Sequence, residues 1–153
     1  MENIKLLFGG DFVITDKFNP EKLLTFEVKK LFNESDFNIL NLEAPVTKSN
    51  SKILKTGPHL MSEYESTLSL LKALNIGIVT LANNHILDYG EIGVSDTIQF
   101  CKVNNIIPIG AGMKLNEASQ TLLLDTKIGK IAIINFAENE WASATEESAG
   151  ANP

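Results

Sequence analysis

Short apolar runs of strand length alternate along this chain with stretches of helical spacing. The run "IKLLFGGD" (4–11) ends in two glycines and an acid, as a buried strand entering a loop would. Asn19 and Pro20 then open "PEKLLTFEVKKLF", where Leu23, Leu24, Val28, Leu31 and Phe32 recur at helical spacing. Asn19 suits the N-cap and Pro20 the first helical position. "FNILNLE" (37–43) reads as a second strand, again closed by an acid and stopped by Pro45. Residues 46–60 are polar, contain Gly57 and Pro58, and are expected to form a surface excursion without regular structure.

Helical spacing resumes over "EYESTLSLLKALN", with Leu68, Leu71 and Leu74 inward. "IGIVTLA" (76–82) is a third strand, "GVSDTIQFCKVNN" a helix, and "IIPIGAG" (106–112) a fourth strand. The alternation predicts an α/β fold, a layered sandwich with a mainly parallel sheet covered on both faces. After a short helix near "NEAS", "TLLLDTKIGKIAIINF" predicts two strands joined by "TKIGK", a C-terminal antiparallel hairpin. No repeat, low-complexity stretch or linker divides residues 1–153, so they read as one domain. The ending "AENEWASATEESAGANP" shows no closing helix or strand, which leads to the expectation of a domain cut in its middle.

Composition narrows the functional classes. The chain has 153 residues and a net charge of −6, and its thirteen basic residues are all lysines. A basic, arginine-bearing stripe of the kind that binds nucleic acid is absent, so nucleic acid is not an expected partner. The single cysteine, Cys101, excludes an internal disulfide and a cysteine-cluster metal site; its helical neighbours make it a buried thiol. No apolar run approaches membrane-spanning length, so the chain as given is expected to be soluble and unanchored.

Candidate chemistry gathers at the strand ends. Asp11 follows the first strand, Glu43 the second, and Asn84 and His85 the third. In open α/β sheets the carboxyl ends of the strands form the crevice where ligands sit, so groups there converge although far apart in sequence. Two carboxylates, an amide oxygen and an imidazole suit Mn²⁺, Mg²⁺, Fe²⁺ or Zn²⁺, as one ion or as half of a two-metal site. Asn83 and Asn84 also suit a turn. Asp88 either faces the free N–H groups of the following helix or orients His85 through a hydrogen bond. Asn41, in the second strand, and Asn83 are placed beside the ligands as supporting groups. His59 in "KTGPHL" reads as a surface residue.

The segments "GGD", "NLEAPVT", "LANNHILDYGEIGVSDTI" and "PIGAG", in this order, resemble the CapA family of capsule and poly-γ-glutamate biosynthesis proteins. That family is related to the calcineurin-like metallophosphoesterases, and the resemblance implies a partial domain of that type. It implies that Asp11, Glu43 and Asn84 are metal ligands and that His85 is the catalytic acid or electrostatic stabiliser. Glu43 departs from the phosphoesterases, which use Asp at that step. The resemblance further implies metal-assisted hydrolysis or transfer on a phosphate ester or an anionic polymer, with one or two divalent ions. It implies other capsule-synthesis subunits as partners and a membrane-associated or extracytoplasmic bacterial parent. An incomplete site and a self-associating chain are expected here. The alternative is a non-catalytic assembly or polymer-binding component that keeps the fold without a metal.

Overall fold

A computed structural model describes residues 3–17, 19 and 22–153. Four parallel strands form its central sheet: β1 (Leu6–Phe12), β2 (Phe37–Leu42), β3 (Ile78–Thr80) and β4 (Ile107–Ile109), in the spatial order β1-β2-β3-β4. Helices α1 (Phe26–Asn33), α2 (Tyr64–Ala73) and α3 (Gly90–Val103) connect them. Each new strand is added on the same side of the last. Right-handed crossovers therefore place all three helices on one face. Leu40, Leu42 and Val79 from the sheet pack there with Leu71, Leu74, Val94, Phe100 and Cys101. The opposite residues of the pleat, Ile39, Ile78 and Ile109, meet Leu124 and Ile133 of a hairpin, β6 (Leu122–Thr126) and β7 (Gly129–Ile133). Both faces are covered as the pattern predicts, one by helices and the other by the hairpin. Burial pushes the Cys101 thiol up to about 12, so it is an inert part of the helix-side core.

The expectations fail where the chain lies at an edge. β1 does not end at its glycines but runs through them to Phe12, and Phe8 to Asp11 are exposed because, among the described residues, no strand lies beyond β1. α1 starts at Phe26, with Thr25 as its N-cap accepting from Val28 N at 3.4 Å, and not at Asn19. Pro20, the expected first helical residue, lies outside the described residues. Leu24 and Phe32 pack on the core, whereas Leu23, Val28 and Leu31 stay exposed, and α1 contains no buried residue.

The fourth strand also breaks early. Gly110, at φ +88°, separates β4 from β5 (Ala111–Gly112). A Cβ there would lie 1.9 Å from Asn135 Oδ1, the oxygen that accepts from the backbone N–H groups of Leu81 and Ala82. Only glycine lets the chain turn against that latch. The ending does have a closing strand, contrary to expectation: β8 (Gly150–Ala151) pairs antiparallel with β5 beside the short helix α4 (Leu115–Ala118), and Asn152 N donates to Gly110 O at 2.8 Å. Alanines made this segment look featureless, but Ala142, Ala144, Ala149 and Ala151 are buried because small side chains let backbones approach.

Asn38 ties the helices to the sheet. Its buried amide donates to Phe32 O (2.9 Å) and Asn75 O (3.1 Å), the carbonyls closing α1 and following α2. We predict that Asn38→Ala leaves these acceptors unpaired and lowers stability by about 1–3 kcal/mol. Urea denaturation checks this; an unchanged midpoint would show that water replaces the amide without cost.

Candidate active site

The site is built by a bulge. Phe8 pairs with Ile39, but the next matched pair is Asp11 with Asn41, so β1 spends one residue more than β2 over this stretch. Without the extra residue Asp11 would stand opposite Leu42, on the helix face; with it, Asp11 shares the face of Asn41. Gly9 leaves room at the bulge for Leu40, whose Cδ2 would lie 2.0 Å from a Cβ there and would have to move. The register shift over Gly9 and Gly10 is thus what aims the acid.

Asn41 is the centre of the carboxylate pair. Its Nδ2 donates to Asp11 Oδ1 at 2.8 Å and to Glu43 Oε2 at 2.6 Å. Its Oδ1 accepts from Thr80 Oγ1 at 3.2 Å and Asn83 Nδ2 at 3.4 Å, which fixes the amide the right way round. Asn83, buried in the turn after β3, also donates to Leu42 O and accepts from His85 N at 3.0 Å. It thereby couples the His85 turn to β2.

His85 is gripped through one nitrogen. Nδ1 lies 2.8 Å from Asp88 Oδ2, and Nε2 faces Glu43 Oε1 at 4.0 Å. Asp88 is wholly buried, and α3 starts only at Gly90. Of the two courses open to Asp88, its carboxylate takes the bond to His85; its other donor is Leu60 N, at 2.7 Å, and not a helix N–H. Its Oδ1 meets the Lys55 ammonium as an ion pair without a directed hydrogen bond.

Lys55 is the residue that sequence reasoning missed. It lies in the excursion expected to be pure surface, yet its side chain is 4% exposed. Residues 46–60 indeed form no helix or strand, but the segment folds inward onto Asp88. His59 is likewise half-buried: Nε2 pairs with Ile53 O at 2.8 Å, and its ring stands edge-on to Tyr89. A lysine among polar residues carries no sequence signal for burial; only its partner does.

Asp11, Asn41, Glu43, Asn83, His85 and Asp88 are therefore joined through contacts at the carboxyl ends of β1, β2 and β3. No side-chain bond ties Asn84 to this network. It is exposed, its backbone carbonyl accepts from the Trp141 indole at 3.2 Å, and it lines an open hollow of about 300 Å³ with Asn83, Glu138, Glu140 and Trp141. Another hollow, about 260 Å³, lies by α2 and α3 against Thr47, Tyr64 and Asp96, and shares no residue with the cluster. Among the described residues, no three His, Cys, Asp or Glu side chains converge closely enough to enclose a metal ion. No described helix is long and apolar enough to cross a membrane.

The Glu43 carboxyl is pushed up, chiefly by burial and further by the Asp11 and Asp88 charges, against the Asn41 bond and His85. Its proton is thus held more tightly in the fold than in the unfolded chain. Stability should fall as pH rises from the ordinary value of 4.5 through the raised one, with the penalty fully present above it. In chelator, Glu43→Gln is expected to melt higher than wild type at neutral pH, and the difference should vanish below 4.5. Melting curves across that range check the sign; a glutamine variant less stable at neutral pH would contradict it. Asp11 is exposed, and Asp11→Ala in chelator should cost nothing or stabilise slightly, because it relieves repulsion with Glu43. Unfolding of that variant would make Asp11 a structural turn residue.

Comparison with known proteins finds relatives over most of the chain. The family model for the bacterial capsule synthesis protein PGA_cap matches residues 5–153. The PGA biosynthesis protein CapA of Bacillus subtilis (strain 168) is 31% identical over 127 residues, covering 82% of this chain and 33% of that protein. The capsule biosynthesis protein CapA of Bacillus anthracis is 29% identical over 128 residues, 80% of this chain and 31% of that protein. A "probable polyglutamine synthesis accessory protein" of Mycobacterium tuberculosis is 28% identical over 112 residues, 73% of this chain and 29% of that protein. The chain thus spans about a third of the length of the curated relatives it matches.

Proposed function

The chain belongs to the bacterial capsule synthesis protein family PGA_cap, and on that footing we propose that it carries working residues of a protein of capsule or poly-γ-glutamate synthesis. The observation that supports this reading is the shared Asn41 amide: one nitrogen holds Asp11 and Glu43 together, on the side to which His85 Nε2 turns. Packing does not require that arrangement, since like charges brought together cost stability.

The paired carboxylates fit a divalent cation, which takes hard oxygen donors. Asp11 and Glu43 would hold it, in a set that is open as it stands. Such an ion supplies Lewis acidity toward a phosphoryl or acyl oxygen and a more acidic bound water. Around it, Asn41 keeps the two carboxylates in register. His85, held by Asp88 through Nδ1, offers Nε2 for proton transfer on the same side. Asn83 keeps the histidine turn against β2. The reaction class is hydrolysis or transfer at a phosphate ester, or at an amide of the polymer.

Protein purified without chelator is expected to take up Mn²⁺ or Zn²⁺, read by elemental analysis and calorimetric titration. Asp11→Asn and Glu43→Gln should each weaken uptake by roughly tenfold or more. A wild-type protein that stays empty on titration would overturn this reading in favour of a non-catalytic assembly or polymer-binding component.

A further inference from the structure

We propose that Lys55 is a positioning residue for His85: by compensating the buried Asp88 carboxylate, it fixes the imidazole with its proton on Nδ1 and its Nε2 turned toward Asp11 and Glu43. The inference rests on the reading of His85 as a working group and adds to it the device that sets which nitrogen works.

The tautomer follows from geometry. Nδ1 and Asp88 Oδ2 are 2.8 Å apart, and two acceptor atoms do not approach so closely without a proton between them. Nδ1 therefore donates, and Nε2 is the nitrogen left facing Glu43. This holds only while Asp88 is an acceptor of fixed orientation. A carboxylate buried without a counter-charge is strongly disfavoured, and Asp88 is fully buried. Lys55 supplies the counter-charge at Oδ1, the oxygen with no hydrogen-bond donor of its own.

The lysine is itself held in place. Ile53 N donates to Asp88 O at 3.1 Å and Leu60 N to Asp88 Oδ2 at 2.7 Å, so the segment bearing Lys55 is bound at both ends to the residue that Lys55 neutralises. The Trp141 ring lies over the ammonium, 5.7 Å from Nζ to its centroid. Nζ also lies 3.3 Å from His85 Nδ1, beside the edge of the ring that faces Asp88. With its side chain 4% exposed, Lys55 acts through Asp88 and the ring edge and not on a substrate.

The test reads the ring itself. The chain has two histidines, so long-range ¹H–¹⁵N spectra of the whole protein can be assigned by the signals lost in His85→Gln. Wild type is expected to show His85 in the Nδ1–H form. Lys55→Met, shown folded by circular dichroism, should lose that pattern to an average of both tautomers, and Lys55→Arg should retain it. A wild-type Nε2–H ring, or a folded Lys55→Met with an unchanged Nδ1–H pattern, would overturn the proposal. Should Lys55→Met not fold, the other two spectra decide: Nδ1–H in both supports the role, and Nε2–H in either rejects it. Metal uptake plays no part in this readout. A failed titration beside an intact Nδ1–H signal rejects the proposed function alone, and the reverse rejects Lys55 alone.

Discussion

A single buried carboxylate, Asp88, holds together the parts of the molecule on which its site depends. Its side chain receives His85 Nδ1, Leu60 N and the Lys55 ammonium, and its backbone carbonyl receives Ile53 N. A charge with no exposure is tolerable only if every such partner is present. The requirement runs in both directions. The turn after β3 must place Asp88 inward, and the irregular segment 53–60 must fold over it. The segment that lacks regular hydrogen bonding is thereby tied at Ile53, Lys55 and Leu60 to one residue, which also holds the histidine.

The sheet supplies the second half of the constraint. Parallel strands bring their carboxyl ends to one edge, but pairing alone would aim Asp11 at the helix-side core. The bulge at Gly9 and Gly10 reverses that, and Asn41 then joins strand to strand by bonding sideways to Asp11 and Glu43 and accepting from Thr80 and Asn83. Asp88 fixes the imidazole and Asn41 fixes the carboxylates. The two systems meet where Nε2 faces Glu43. Asn135 adds a third fastening by accepting from the buried backbone N–H groups of Leu81 and Ala82 just after β3.

Much of this was legible in the residues. Alternating runs located the four strands, the hairpin and the inward face of α2, because burial on a pleated or helical surface imposes its period directly. The acids, amides and histidine closing three strands marked the candidate site, whereas the strand order that puts all three helices on one face was not in the pattern. Other features depended on partners that periodicity does not encode. β1 reads as a buried strand but is an edge strand, and the helical spacing from Leu23 onward does not show that Thr25, and not Asn19, caps α1. Lys55 resembles any surface lysine until Asp88 is placed beside it. The alanine-rich ending shows no period because it packs through backbone proximity, with β8 against β5.

The central claim is that Lys55 and Asp88 act as one buried unit. A double-mutant cycle in urea measures it most directly. If the account is right, Lys55→Met and Asp88→Asn should each cost about 3–5 kcal/mol, since each leaves its partner's buried polar group uncompensated. The double variant should recover part of that loss, with a coupling of about 1–3 kcal/mol. Losses that add within about 0.5 kcal/mol would show two independent side chains and contradict the account.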